Sequence, residues 1–402
     1  MDGPVTRATD IPYASAERFA QPSVVPDWSE PFDATDWSPA CPQRAMPGGT
    51  APGDDLPVMV WIHGGSYVSG AGDLPIMDPA ALVAEQNVIV VTVTYRLGLF
   101  GFLGGVPGRP ANLGLLDQLA AFAWVQRNIS AFGGDPRRVT AFGQSAGGDA
   151  VAHLMATSGA AGLFTRAIIQ SAPLGLARGR SEMSAAMNDV FGEALAGVAP
   201  DAPAADILAM QPAVDTAASR FGLKSGMAFG TQYGHEPLPA EAELDEAWDA
   251  AAPSIDILIG HTAEEAALFL PRLQSLQGVL RVPVLGKLVG RTVVSLVTRL
   301  VYSRDSRKFA RRHARAGGRA HHYVISWSAP KSGWGSAHTV DLPLLFGDAD
   351  AWRAAALVTG TPWAEIDASG RQVRAVWGRF ARGEDLGDRV TVPRALDVRR
   401  VR

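Results

Sequence analysis

Two kinds of apolar pattern alternate along the 402 residues. Residues 57–62 (PVMVWI) and 87–94 (NVIVVTVT) are short, continuous apolar runs. A strand covered on both faces reads this way, so the two runs predict buried strands of a mostly parallel sheet. Residues 79–85, between them, suit a crossover helix. Leu115, Leu119, Phe122, Val125 and Ile129 recur every three to four residues and predict a helix with one apolar face. Gly133-Gly134-Asp135-Pro136 is expected to stop it. Further strands are expected at 139–142, 167–169, 257–259 and 323–325, and a further helix around Val373, Val376 and Phe380. Strands alternating with helical segments predict an α/β architecture with right-handed crossovers. Residues 1–57, rich in Pro, Asp and Ser, read as irregular entry structure, and 178–245 as Ala-rich and helix-prone. No internal repeat is visible.

Composition narrows the class. Hydrophobic residues make up 47% and charged residues 19%, which describes a chain with a sizeable core. The net charge of −4 gives no global attraction to nucleic acid or to an anionic membrane. Cys41 is the single cysteine, so no intramolecular disulfide is possible and cysteine usage does not support secretion. The first fifteen residues contain no apolar core of signal-peptide length. The most apolar later stretch, 279–302, is interrupted by Arg281, Lys287, Arg291 and Arg299 and reads as an amphipathic helix or strand, not a membrane span. A soluble, cytoplasmic protein is expected, with no nucleic-acid partner. The basic run Arg304, Arg307, Lys308, Arg311, Arg312 and Arg315 reads as the solvated face of a helix ending at Gly317-Gly318. His321-His322 is too short a constellation for a metal site.

The chemistry is concentrated in AFGQSAGG, residues 141–148. A serine hydroxyl is a weak nucleophile at neutral pH and needs a base for its proton and donors for the oxyanion. Here Ser145 lies between a predicted strand and a helix-compatible segment, with Gly143 and Gly147 two positions either side. A G-x-S-x-G turn of this kind holds a serine strained and exposed. The helix that follows aims free N–H groups at developing negative charge. Upstream, the strand at 57–62 ends in His63-Gly64-Gly65-Ser66-Tyr67, where paired glycines let backbone N–H groups approach a ligand.

With these motifs the chain resembles the type-B carboxylesterases, the cholinesterase-like branch of the α/β-hydrolases. The likeness extends through Ile11-Pro12-Tyr13-Ala14, Pro39-Ala40-Cys41-Pro42-Gln43, Tyr95-Arg96 with Gly101-Phe102, and residues 112–118 (NLGLLDQ). It continues in 124–136 (WVQRNISAFGGDP), 163–171 (LFTRAIIQS) and 377–382, and is weakest at 175–235 and 271–305. The resemblance implies an α/β-hydrolase fold, a mostly parallel central sheet flanked by helices, in a single domain spanning 1–402. It implies a serine hydrolase of carboxylic esters with a triad in the chain order Ser145, Glu265, His338. Glu265 is the second acidic residue of IGHTAEE and His338 lies in GSAHTVD; Glu264 matches a structural neighbour, and Arg96 with Asp117 a structural pair. Gly65, Ser66 and Ala146 are implied as the oxyanion donors, and the substrate is a small-molecule ester. No organic cofactor and no metal is required.

The chain also departs from the family pattern. Relatives usually carry an extra strand and a disulfide loop where only residues 44–56 are available here, so the N-terminal region is shortened and Cys41 lacks its usual partner. The interval from Glu265 to His338, which includes the lid, is contracted, and the C-terminal tail is short. Losing a strand exposes a sheet edge, which bears on folding. Ser66 stands where relatives often have a third glycine, and Gln144 where they usually have glutamate. The competing expectation is a truncated, non-catalytic member acting as a binding protein. The natural ester, the acyl-chain preference and the oligomeric state are not readable from these residues.

Overall fold

The computed structural model of the chain describes residues 8, 11–26, 53–273 and 277–402. Ten strands occur among them. They are β1 (Ala14–Ser15), β2 (Ser23–Val24), β3 (Leu56–Ile62), β4 (Ile89–Val93), β5 (Gly134–Gln144), β6 (Arg166–Gln170), β7 (Asp256–Thr262), β8 (Ala320–Ile325), β9 (Arg389–Val392) and β10 (Leu396–Val401). β1 and β2 form a small antiparallel pair. The other eight make one sheet in the order β4-β3-β5-β6-β7-β8-β10-β9. Pairing is parallel from β4 across to β8 and antiparallel for β10 against both β8 and β9.

The helices that bear on the site are α1 (Ala80–Gln86), α2 (Leu113–Asn128), α3 (Ala146–Leu154), α4 (Ser181–Leu195), α5 (Leu285–Val297), α6 (Arg304–Arg315) and α7 (Trp363–Ala381). The strands alternate their side chains between two cores. Val58, Val60 and Ile62 of β3 join Leu115 and Phe122 of α2 and Val151 of α3 on one face. Met59 and Trp61 join Leu82 of α1 and Val373 and Trp377 of α7 on the other. Both faces are dry, which is why β3 reads as an unbroken apolar run.

Several local expectations are corrected. The strand expected at 139–142 is longer: α2 ends at Asn128, a 3-10 turn covers Ile129–Phe132, and β5 already starts at Gly134 and runs to Gln144. Gly133 takes φ 82°, so the turn reverses in one residue and leaves its successors free to pair with Leu56. The C-terminal tail holds β9 and β10, whose alternating Arg and Val pattern was not read as strand. The entry region is not wholly irregular, since β1 and β2 pair. Residues 285–297 are helix, continued by a π-helical turn at Thr298–Ser303 into α6. The basic run lies on α6, with Ser306, Phe309, Ala310 and His313 buried on its other side. Cys41, the 39–43 motif and the shortened stretch 44–52 lie outside the described residues. No helix among the described residues is long and apolar enough to cross a membrane.

Candidate active site

The parallel strands end side by side: Ile62 pairs with Gly143, Gln144 with Gln170, Gln170 with Gly260 and Gly260 with Tyr323. The segments that follow these ends meet at one edge, where open parallel sheets place their ligands. Ser145 follows β5 directly, with φ 58° and ψ −123°, and α3 begins at the next residue. Its N–H donates to the Gln170 carbonyl at 2.8 Å, and its carbonyl accepts from Asp149 N at 2.9 Å. The glycines around it are dictated by space. A Cβ on Gly147 would lie 1.9 Å from the Ile62 carbonyl oxygen, and one on Gly143 2.5 Å from the Gly147 carbonyl oxygen. Both obstacles are backbone, which has nowhere to move.

The glycine loop after β3 packs against this turn. A Cβ on Gly64 would come within 2.7 Å of the Gln144 carbonyl oxygen and 3.1 Å of Ser145 Cβ. Gly65 has φ 118°, and Ser66 and Tyr67 follow at 55° and 61°. The N–H of Ala146 opens α3 and has no intrahelical acceptor by the geometry of a helix start. Gly64 thus sets the loop that carries Gly65 and Ser66 against the turn of Ser145, and Ala146 directly follows the serine. Tyr67 anchors the loop: it is fully buried and its hydroxyl donates to Asp149 Oδ2 at 2.8 Å. Tyr95 holds the loop's other end by donating to the His63 carbonyl at 2.7 Å. Burial holds His63 down at about 4, so this imidazole is neutral packing material against the Tyr95 ring.

The acid and the imidazole come together from β7 and the loop after β8. Glu265 is completely buried and accepts from Thr262 N at 2.7 Å through Oε1. Its Oε2 accepts a short hydrogen bond from His338 Nδ1. Burial pushes the Glu265 carboxyl up, but the facing His338 and its hydrogen bond outweigh that, and the group stays below its ordinary value. Glu264 is exposed and does a different job: its carboxylate accepts from Ser336 N at 2.9 Å, and its own N–H donates back to the Ser336 carbonyl. It pins the loop that carries His338.

With Nδ1 donating to Glu265, the lone pair of His338 lies on Nε2. That atom faces Gln144 Nε2 at 3.4 Å, and Ser145 Oγ makes no hydrogen bond to it. The structure thus brings Glu265, His338 and Gln144 together, and Ser145 against the glycine loop. Serine and imidazole are neighbours of the same amide without touching through a hydrogen bond, a looseness common before substrate binds. Among the described residues eleven non-glycine residues have positive φ, and five of them, Ser66, Tyr67, Ser145, Ser171 and Thr339, belong to this edge. Backbone strain gathers where the surroundings over-determine it.

Three features here were not anticipated from the sequence. The rings of Phe269 and Tyr302 lie 5.4 and 5.2 Å from the His338 ring and wall it in. Asp341, fully buried, accepts from Gln170 Nε2 at 2.7 Å and is pushed by burial to about 6. Tyr67 with Asp149 is the third. No periodicity signals any of them, because each partner is drawn from a distant element. Arg96 and Asp117 form the expected two-pronged ion pair, at 2.8 and 2.6 Å. His321 and His322 are held singly by Gly387 O and Ser306 Oγ. No group of three His, Cys, Asp or Glu among the described residues is arranged to hold a metal ion.

The chain is similar to known proteins over most of its length. The model described as "Carboxylesterase family" matches residues 46–279. A probable N-octanoylanthranilate hydrolase of Rhodococcus erythropolis is 35% identical, over 96% of this chain and 91% of its own. The para-nitrobenzyl esterase of Bacillus subtilis (strain 168) is 34% identical, over 92% of this chain and 85% of its own. A solved thermophilic PNB esterase superposes with a TM-score of 0.77 at 31% identity, covering 97% of this chain and 89% of that one.

Proposed function

Because the chain belongs to the carboxylesterase family and is a carboxylic-ester hydrolase with the α/β-hydrolase fold, we propose that it cleaves esters through Ser145, Glu265 and His338. Ser145 Oγ attacks the ester carbonyl carbon while His338 Nε2 takes its proton. Glu265 orients the imidazole through Nδ1 and stabilises it when charged. The N–H groups of Gly65, Ser66 and Ala146 hold the oxyanion. The tetrahedral intermediate collapses, the proton passes from His338 to the leaving alcohol, and water repeats the sequence on the acyl-enzyme.

The observation that carries this reading is the buried Glu265–His338 pair beside a strained serine at the carboxyl edge of the sheet. The chain is read as one domain across 1–402, located in the cytoplasm, acting on uncharged esters of small to medium size. The name of the Rhodococcus relative adds an octanoyl group to the acyl chains worth testing. The test is labelling with a fluorophosphonate probe, with aryl esters of graded acyl length as substrates. Labelling at Ser145 and loss of turnover by several orders of magnitude in Ser145→Ala are expected, since the three groups act as a unit. A folded protein that neither labels nor turns over would instead be a binding member of the family, and full activity in Ser145→Ala would remove the serine from the mechanism.

A further inference from the structure

Behind the Glu264 turn lies a cavity of about 1140 Å³ that shares a wall with the proposed catalytic centre but not its interior. The wall is the π-helical turn Thr298–Ser303 between α5 and α6. Tyr302 points its ring at His338, whereas Thr298, Arg299 and Ser303 line the cavity. Ser145, Gly65, Ser66 and His338 are not among the lining residues.

Its charge is one-sided. Lys287, Arg291, Arg299, Arg304, Arg307 and Arg311 all line it, and among the described residues Glu264, already committed to Ser336 N, is the lone acidic lining residue. Residues 304, 307 and 311 share one face of α6, and 287 and 291 one face of α5, so two helices turn their cations toward one space. Arg304 is paired with Asp305; the other five make no ion pair among the described residues. By contrast Arg312, one step round the same helix, is paired with Asp245 and Asp249. Between 281 and 315 ten lysines and arginines face a single aspartate, in a chain whose net charge is −4. All six lining cations are exposed, so they form a positively charged rim open to solvent, where like charges repel one another and an anion relieves them.

The floor adds an independent sign. His261 lines the cavity, is 4% exposed, and donates from Nδ1 to the Thr262 carbonyl at 2.8 Å. Its Nε2 is buried without a partner, an expense that buried polar atoms rarely carry. The His322 ring lies 5.4 Å away. Burial foremost, then the neighbouring His261, Arg307 and Arg311, holds His322 down at about 3. The remaining wall is apolar, with Leu270, Leu280, Val294 and Trp334.

We propose that this cavity binds a phosphate group carried on an apolar body. Guanidinium forks match phosphate oxygens, and several arginines are answered better by the three terminal oxygens of a phosphate monoester than by the two of a carboxylate. The volume exceeds what a bare ion fills and suits a ligand whose apolar part covers the leucine and valine wall. A protonated phosphate oxygen would also donate to the free His261 Nε2. The ligand is either a soluble alkyl phosphate or the headgroup of an anionic phospholipid: the guanidinium contacts serve both, and the P–OH donation to His261 Nε2 serves the monoester.

The test is calorimetric titration of the full chain with decyl phosphate below its micelle concentration, at low salt. Saturable one-site binding is expected, weakening as salt rises. Arg299→Ala with Arg307→Ala should weaken it by about tenfold or more. Lys308→Ala, exposed on the same helix but outside the lining, should leave it unchanged. Protein blocked at its serine by a fluorophosphonate should bind as well as unblocked protein, which separates this site from the catalytic one. Sedimentation with phosphatidylglycerol vesicles distinguishes the sources: binding with the same dependence on Arg299 and Arg307 identifies a lipid headgroup, and its absence a soluble phosphate. No titration, equal affinity for decanol, equal loss in Lys308→Ala, or loss on blocking the serine would each overturn the proposal.

Discussion

Gln144 is 2% exposed and its amide lies 3.4 Å from His338 Nε2, the atom that must receive the serine proton. Where relatives place a carboxylate, this chain offers an uncharged donor. A glutamate there would favour the protonated imidazole, and the working base must be neutral. Gln144→Glu is therefore expected to move the acid limb of the kcat/KM profile to higher pH, by on the order of half a unit to one unit. Profiles of both proteins at fixed ionic strength measure this; an unmoved limb, or one displaced downward, would deny the electrostatic role. The two adjacent glutamates make a second comparison. Glu265 is buried against His338, whereas Glu264 is exposed and braces a loop through Ser336. Glu265→Gln should lower kcat by on the order of 10³ to 10⁴, because the imidazole loses its orientation and tautomer. Glu264→Gln keeps an acceptor for Ser336 N and should cost roughly a few-fold. The reverse ranking in steady-state kinetics would reassign the acid.

The elements matter through their ends and their edges. β5 delivers Ser145 because its last residues are locked between β3 and β6, and α3 can start at once because Gly147 passes the Ile62 carbonyl without a Cβ. α1 and α7 are joined by Arg374, buried yet satisfied by Glu85, Asp367 and the Leu344 carbonyl. A buried charge so fully paired is costly to break from one side. The antiparallel tail has a comparable structural duty. β10 covers the edge of β8 with Leu396 and Val398 buried, and β8 leads into the loop of His338. Deleting residues 386–402 would leave β8 with an open row of N–H and C=O groups. Loss of soluble monomer is expected, read by size-exclusion chromatography. A monomeric, active truncation would show that the tail is dispensable.

For the whole molecule, the proposed chemistry uses side chains and backbone alone. A chelator and a thiol reductant are each expected to leave turnover of an aryl ester unchanged; strong inactivation by a chelator would contradict the mechanism. The parallel strands, the serine turn and the glycine loop were legible because each depends on residues within a few positions of one another. An apolar run buried on both faces, a Cβ that will not fit, and a carbonyl that needs a near neighbour all leave a local trace. The acid and base came only through family likeness, not from any pattern along the chain, and the order of the strands only from the structure. What tertiary structure alone decided links distant residues. Gln144 and His338 are 194 positions apart, and Tyr67 and Asp149 are 82 apart. The cations of α6 read as a solvated face, and they are exposed, but only the tertiary structure sets them with those of α5 around the mouth of one cavity. Periodicity states which side of an element is apolar. It carries nothing about which element that side will meet, and the proton path, the aromatic walls of His338 and the charged cavity are all properties of those meetings.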